Sequence, residues 1–120
     1  MIEAQTISIW RSEDADGGTS PPELVEALVD VSKSKATRQL IRKGEGRSVK
    51  CHLRVPLVQD CHVHSEELGR ALRKVMRAAI EAGGPGDHFM IDLHVSPDSR
   101  LVVQAKPREP RLKMEQRSRK

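Results

Sequence analysis

The feature that most constrains this fold is a switch from helical to strand spacing within residues 65–95. Apolar residues first recur at the i, i+4, i+7, i+11 spacing of one helix face: Leu68, Leu72, Val75 and Ala79. Ser65 is the predicted N-cap of this helix, and Gly83-Gly84-Pro85-Gly86 ends it. Alternating apolar residues then follow: Phe89, Ile91, Leu93 and Val95. A helix followed by a half-buried strand predicts a sheet with helices packed on one face.

Two strands and one helix precede this segment. Residues 5–10 alternate between apolar and polar, which predicts a first strand. The run Ser20-Pro21-Pro22-Glu23 has the form of a capping box and predicts the start of a helix. That helix should bend or break near Ser32 and end at Gly44-Glu45-Gly46. Residues 49–57 alternate again and predict a strand with one apolar and one basic face.

The chain after residue 95 predicts a hairpin. Ser96-Pro97-Asp98-Ser99 is typical of a turn, and residues 101–105 supply a fourth strand. The predicted order is βαβαββ. This order favours an α+β fold, a two-layer α/β sandwich with two helices on one face of a four-stranded mixed sheet and the other face open.

The length of 120 residues predicts one domain, over residues 1–106, followed by a basic disordered tail over residues 107–120. Residues 11–19 are predicted to form a flexible loop within the domain. Charge is unevenly distributed: residues 1–32 carry one Arg and seven acids, whereas residues 33–54 carry eight basic residues and one Glu. The tail has six basic residues and two acids, so its net charge is +4, the same as that of the whole chain. Any role in binding anions therefore depends on where the cations lie.

Neither a membrane span nor a signal peptide is predicted. No run approaches the roughly 20 apolar residues that a membrane helix needs, and the first residues lack a basic and then apolar pattern. We therefore expect a cytoplasmic protein. In that reducing compartment Cys51 and Cys61 are predicted to be free thiols.

Four cations on the helix that starts near Ser65 form the best-placed candidate site. Arg70, Arg73, Lys74 and Arg77 lie opposite the apolar stripe, at a spacing that can follow the phosphates of RNA or DNA. The alternative is a solvated helix face, partly neutralised by neighbouring glutamates. Further predicted phosphate contacts are Lys50, Arg54, Arg108, Arg111 and Lys113.

The open face of the predicted sheet is a second candidate surface. Trp10, His52, Met90 and His94 are predicted to lie there, together with Asp92. Such a face could bind RNA, remain solvated, or be buried by a second copy of the protein. The presence of Trp10 and Met90 favours a homodimer or another protein partner.

Catalytic and metal sites are predicted to be absent. Cys51, Cys61, His62 and His64 are possible zinc ligands, but their spacing matches no paired knuckle. Asp92 could orient His94 for acid or base chemistry, yet no phosphate loop, nucleophile elbow or metalloprotease motif accompanies the pair. The sequence therefore predicts a protein that is not an enzyme and has no cofactor.

The predicted βαβαββ order over residues 5–106, with a basic tail after it, resembles the C-terminal domain of bacterial translation initiation factor three and the Alba chromatin proteins. This resemblance lies in element order alone and implies RNA or DNA as the partner. Because Trp10 and Phe89 are the only aromatic residues, base stacking is a poor mode of binding for this chain. Together these features predict a nucleic-acid-binding or nucleoprotein-associated protein that contacts phosphates. The alternative is a homodimeric protein-interaction module that uses the open sheet face.

Overall fold

A computed structural model describes residues 4–11, 22–55 and 61–107. The predicted loop is described only at Arg11, and the tail only at Pro107. The elements in chain order are β1 (Gln5–Ser8), α1 (Leu24–Lys33), α2 (Lys35–Gly46), β2 (Lys50–Arg54), α3 (Ser65–Ala82), β3 (His88–Val95) and β4 (Arg100–Pro107). The prediction of an α+β sandwich is confirmed, with three helices beside the sheet.

The four strands form one mixed sheet in the order β1-β4-β3-β2. β2 and β3 are parallel, because α3 connects them as a crossover. β4 runs antiparallel to both β3 and β1, and the β3–β4 hairpin closes at the pair Val95 and Leu101. β1 and β2 are therefore the edge strands.

The core lies between the helices and one face of the sheet. The apolar residues of β3 and β4 on this face are buried, except for the half-buried Val95, and the stripe on α3 that the sequence predicts is buried as well. The most deeply buried large side chains include Leu68, Ile80, Ile91, Leu93 and Leu101. No helix in the described part of the chain is long and apolar enough to span a membrane.

The predicted first helix is divided at Ser34, two residues after the predicted bend. Ser34 has an extended ψ of 145°, which ends α1. Its hydroxyl donates to the Val31 carbonyl at 2.8 Å and accepts from the Thr37 N–H at 3.3 Å. Ser34 thus caps α2 while it terminates α1.

Both predicted N-caps are wrong. α1 begins at Leu24. The Leu24 N–H donates to the Cys61 carbonyl and the Val63 N–H donates to the Pro22 carbonyl, and between these bonds Glu23 is extended. Glu23 is the residue before the helix and makes no side-chain cap; Ser20 and Pro21 lie outside the described residues. In α3 the cap position is His64, and the Ser65 hydroxyl donates instead to Asp30 of α1 at 3.1 Å.

Two strands also differ from their predictions. β1 ends at Ser8, and Trp10 forms an isolated bridge with His62. β2 runs from Lys50 to Arg54, so the predicted strand is too long at Val49 and Val55; residues 56 and 57 of that prediction lie outside the described residues. The apolar face of β2 extends past the core, since Leu53 and Val55 are exposed.

Candidate nucleic-acid interface

The predicted basic stripe on α3 divides into an exposed ridge and one half-buried residue. Arg70, Lys74 and Arg77 are exposed, and we call them the α3 ridge. Their i, i+4, i+7 spacing places them on one side of the helix. Arg70 lies 3.9 Å from the carboxylate of Glu66, an exposed pair that contributes little to stability.

Arg73 ties α3 to α2. Its Nη1 atom donates to the Thr37 hydroxyl at 3.3 Å, and its side chain is half-buried. The guanidinium lies over Gly69, where an added Cβ would come within 2.8 Å of Nη1. Arg73 therefore stabilises helix packing, and its charge is less available to a ligand than the sequence predicts.

α2 and α3 run side by side in the same direction. Thr37 contacts Arg73 near the start of α2, and Gly44 packs against Ile80 near its end. Both pairs are 36 residues apart in sequence, so the two helices run in parallel. α2, the helix packed beside α3, carries four exposed cations: Lys35, Arg38, Arg42 and Lys43.

Together α2 and α3 form a positively charged surface, which we call the basic helical surface. It has seven exposed cations, the four of α2 and the three of the α3 ridge, and three exposed acids, Glu45, Glu66 and Glu81. The candidate-site prediction omitted the α2 cations. The signal that could have found them is the excess of basic residues over 33–54.

Lys50 and Arg54 lie apart from the basic helical surface. Both are exposed and sit on the sheet face that points away from the helices, as does His52 between them. Their side chains therefore point away from the α3 ridge, although Lys50 also lines a groove with Ile41 and Glu45 of α2. The other predicted phosphate contacts, Arg108, Arg111 and Lys113, lie outside the described residues.

Two polar side-chain groups occupy the open sheet face. His52 Nε2 and His88 Nδ1 are 2.9 Å apart, and the two rings are parallel within 3°. A hydrogen bond between two imidazoles requires that one nitrogen donates and the other accepts. The second group centres on Asp92, whose Oδ2 is 3.3 Å from His94 Nδ1 and 3.9 Å from Lys106 Nζ.

The predicted interface residues do not form one cluster. His52, Met90 and His94 lie on the open sheet face, where Met90 is half-buried and pairs across the sheet with His52 and Lys106. Trp10 lies beyond the end of β1, and its ring makes an edge contact with His64 at a centroid distance of 4.9 Å. The described face therefore presents mainly polar groups.

The four possible zinc ligands do not converge. Cys51 lies in β2, whereas Cys61, His62 and His64 lie near Trp10, beside the opposite edge strand. No group of three His, Cys, Asp or Glu residues in the described ranges could hold a metal ion. Neither cysteine is in a disulfide, and Cys61 is buried.

Comparisons with protein-family models, curated proteins and solved structures give no match for this chain. The resemblance of element order to initiation factor and chromatin proteins stays a prediction.

Proposed function

We propose that this protein binds RNA or DNA through the basic helical surface and has no catalytic role in doing so. The observation that carries the proposal is the parallel packing of α2 and α3, which places seven exposed cations on two adjacent helices. Charges within about 8–10 Å of one another add at moderate ionic strength, so the two helices attract a polyanion together.

The binding mode follows from which side chains are accessible. Phe89 is buried, and Trp10 is half-buried with its ring in edge contact with His64, so the described residues offer at most one Phe, Trp or Tyr ring for base stacking. Lys and Arg side chains that contact phosphates carry no sequence information by themselves. We therefore expect weak sequence preference and a steep dependence on salt concentration.

Fluorescence anisotropy with labelled RNA and DNA tests this proposal. We expect binding at about 50 mM salt that weakens strongly at about 200 mM. The double variant Lys74→Glu/Arg77→Glu should weaken binding by about tenfold or more, because each lost phosphate contact lowers the number of counterions that binding releases.

The matched control is Lys50→Glu/Arg54→Glu, which makes the same charge change on the opposite face of the sandwich. It should alter the affinity by less than about threefold, since long-range repulsion alone remains. Equal losses in the two double variants, or no binding at about 50 mM salt, would contradict the proposal.

The open sheet face is the second candidate, as a homodimer interface. It is favoured by Met90 and Val102, which are apolar, lie on this face and are only half-buried. Light scattering should then give the mass of a dimer, and Met90→Asp should reduce it to that of a monomer. A monomeric mass for the unmodified protein would contradict this candidate.

A further inference from the structure

The outer edge of β2 has backbone groups available for another strand. The Lys50 N–H donates to the Asp87 carbonyl at 3.0 Å, which fixes the direction of the β2 backbone relative to β3. In a parallel ladder alternate residues bond to the same neighbour, so His52 and Arg54 also bond toward β3. The N–H and C=O groups of Cys51 and Leu53 therefore point outward. No strand in the described residues pairs with this edge.

An apolar groove runs beside the same edge. Its volume is about 260 Å³, and it lies between the C-terminal half of α2, α3 and β2. Its apolar lining consists of Ile41, Val49, Cys51, Met76 and Ile80. Ile41 is 42% exposed, and Leu53, which continues the groove side of β2, is 48% exposed. These exposures are large for aliphatic side chains on adjacent elements and mark a contact surface.

Cations neighbour the groove on both α2 and β2, and Lys50 is among the residues that line it. Arg38, Ile41, Arg42 and Glu45 recur on α2 at i, i+3, i+4, i+7, so two arginines share the helix side that carries the groove-lining Ile41. Lys50 lines the groove, and Arg54 lies on the same face of β2 as Lys50. Glu45 is the one acid that lines it among the described residues.

We propose that the β2 edge binds an extended peptide segment of a partner protein, in which apolar and acidic side chains alternate. The segment adds to the sheet as a fifth strand through the outward backbone groups of Cys51 and Leu53. Its apolar side chains fill the groove, and its acidic side chains on the other face meet Lys50 and Arg54.

Charge argues against a second copy of the protein as the occupant. Antiparallel pairing of two β2 strands centred on His52 would place Lys50 opposite Arg54 of the other copy. Like charges directly opposite each other destabilise a strand pair. Acidic side chains from a different protein remove this repulsion. Arg38 and Arg42 of α2 belong to both surfaces, but the peptide site requires the β2 edge and the groove, whereas the α3 ridge has no part in it.

The probe is a labelled synthetic peptide of twelve residues with Val and Glu alternating, titrated into the full-length protein. A peptide with Val and Lys alternating is the matched control. We expect saturable binding of the Glu peptide and at least about tenfold weaker binding of the Lys peptide, since only the former complements the cations that neighbour the groove. Equal binding of the two peptides would overturn the proposal.

Two variants locate the binding site. Leu53→Pro removes an outward N–H without removing a bond to β3, and should weaken peptide binding about three- to tenfold relative to Leu53→Ala. Ile41→Glu places a negative charge at the groove, where it should repel the acidic peptide. Because Ile41 is exposed on α2, this variant should weaken peptide binding by a similar factor without altering β2. Unchanged peptide affinity in Ile41→Glu would overturn the proposal. A dimer of the unmodified protein that both Leu53→Ala and Ile41→Glu dissociate would also overturn it, because a second copy would then occupy the groove.

Alkylation of Cys51 supplies an independent measurement. Cys51 lines the groove, and burial raises the pKa of its thiol, so alkylation is already slow near neutral pH. Bound peptide should slow the reaction with iodoacetamide further, in proportion to the fraction bound. Full reactivity of Cys51 at saturating peptide would show that the peptide binds elsewhere and would overturn the proposal.

Discussion

Neighbouring cations on α3 differ in what they do. Arg73 and Lys74 are adjacent in sequence and were both predicted to contact phosphates. Arg73 donates to the Thr37 hydroxyl and covers Gly69, whereas Lys74 is exposed. The sequence spacing could not separate them, because the partner of Arg73 lies 36 residues away in another helix.

Alanine substitution should therefore lower stability at Arg73 and nucleic-acid affinity at Lys74. We expect Arg73→Ala to lower the free energy of unfolding by about 1 kcal/mol, through loss of the bond to Thr37 and of side-chain packing. Lys74→Ala should change stability by less than about 0.5 kcal/mol but should weaken nucleic-acid binding more than Arg73→Ala does. Urea denaturation and anisotropy measure the two quantities. The assignment fails if Arg73→Ala leaves stability unchanged.

At the scale of elements, local sequence patterns predict which segments form helices and strands, and tertiary contacts decide where each helix or strand begins and ends. The apolar stripe of α3 and the alternation in β3 specify both elements, because each buries one face. The apparent capping box at Ser20-Pro21-Pro22-Glu23 does not start α1, since backbone bonds to residues 61 and 63 hold residues 22–24 instead. A pairing between segments about 40 residues apart leaves no local signal.

The break between α1 and α2 depends on Ser34, and its cap can be tested. Ser34→Ala removes the acceptor for the Thr37 N–H and should lower the free energy of unfolding by about 1 kcal/mol. Ser32→Ala is the matched control, because the Ser32 hydroxyl is exposed and bonds only to the Val29 carbonyl of its own helix. It should cost less than about 0.5 kcal/mol in thermal or urea denaturation. Equal costs for the two variants would contradict the capping role.

At the scale of the whole molecule, the sandwich separates cations that the sequence grouped together. The α3 ridge and the pair Lys50 and Arg54 lie on opposite faces, while four further exposed cations lie on α2, the helix packed beside α3. Helical spacing predicts the ridge itself. It does not predict which helix packs beside it, because that depends on the parallel register of α2 and α3. The charge excess over residues 33–54 indicated a basic surface but not its position.

The net charge of the chain equals that of residues 107–120, so the tail and the basic helical surface should contribute separately to binding. A chain that ends at Pro107 keeps all of β4 and loses six basic residues and two acids. We expect it to bind RNA more weakly and with a shallower salt dependence, since fewer counterions are released. Adding Lys74→Glu/Arg77→Glu to the shortened chain should remove most of the remaining affinity. Anisotropy at three or more salt concentrations gives each slope, with the full-length double variant as control. If the shortened chain has no affinity at about 50 mM salt, binding belongs to the tail alone and the basic helical surface is not the site.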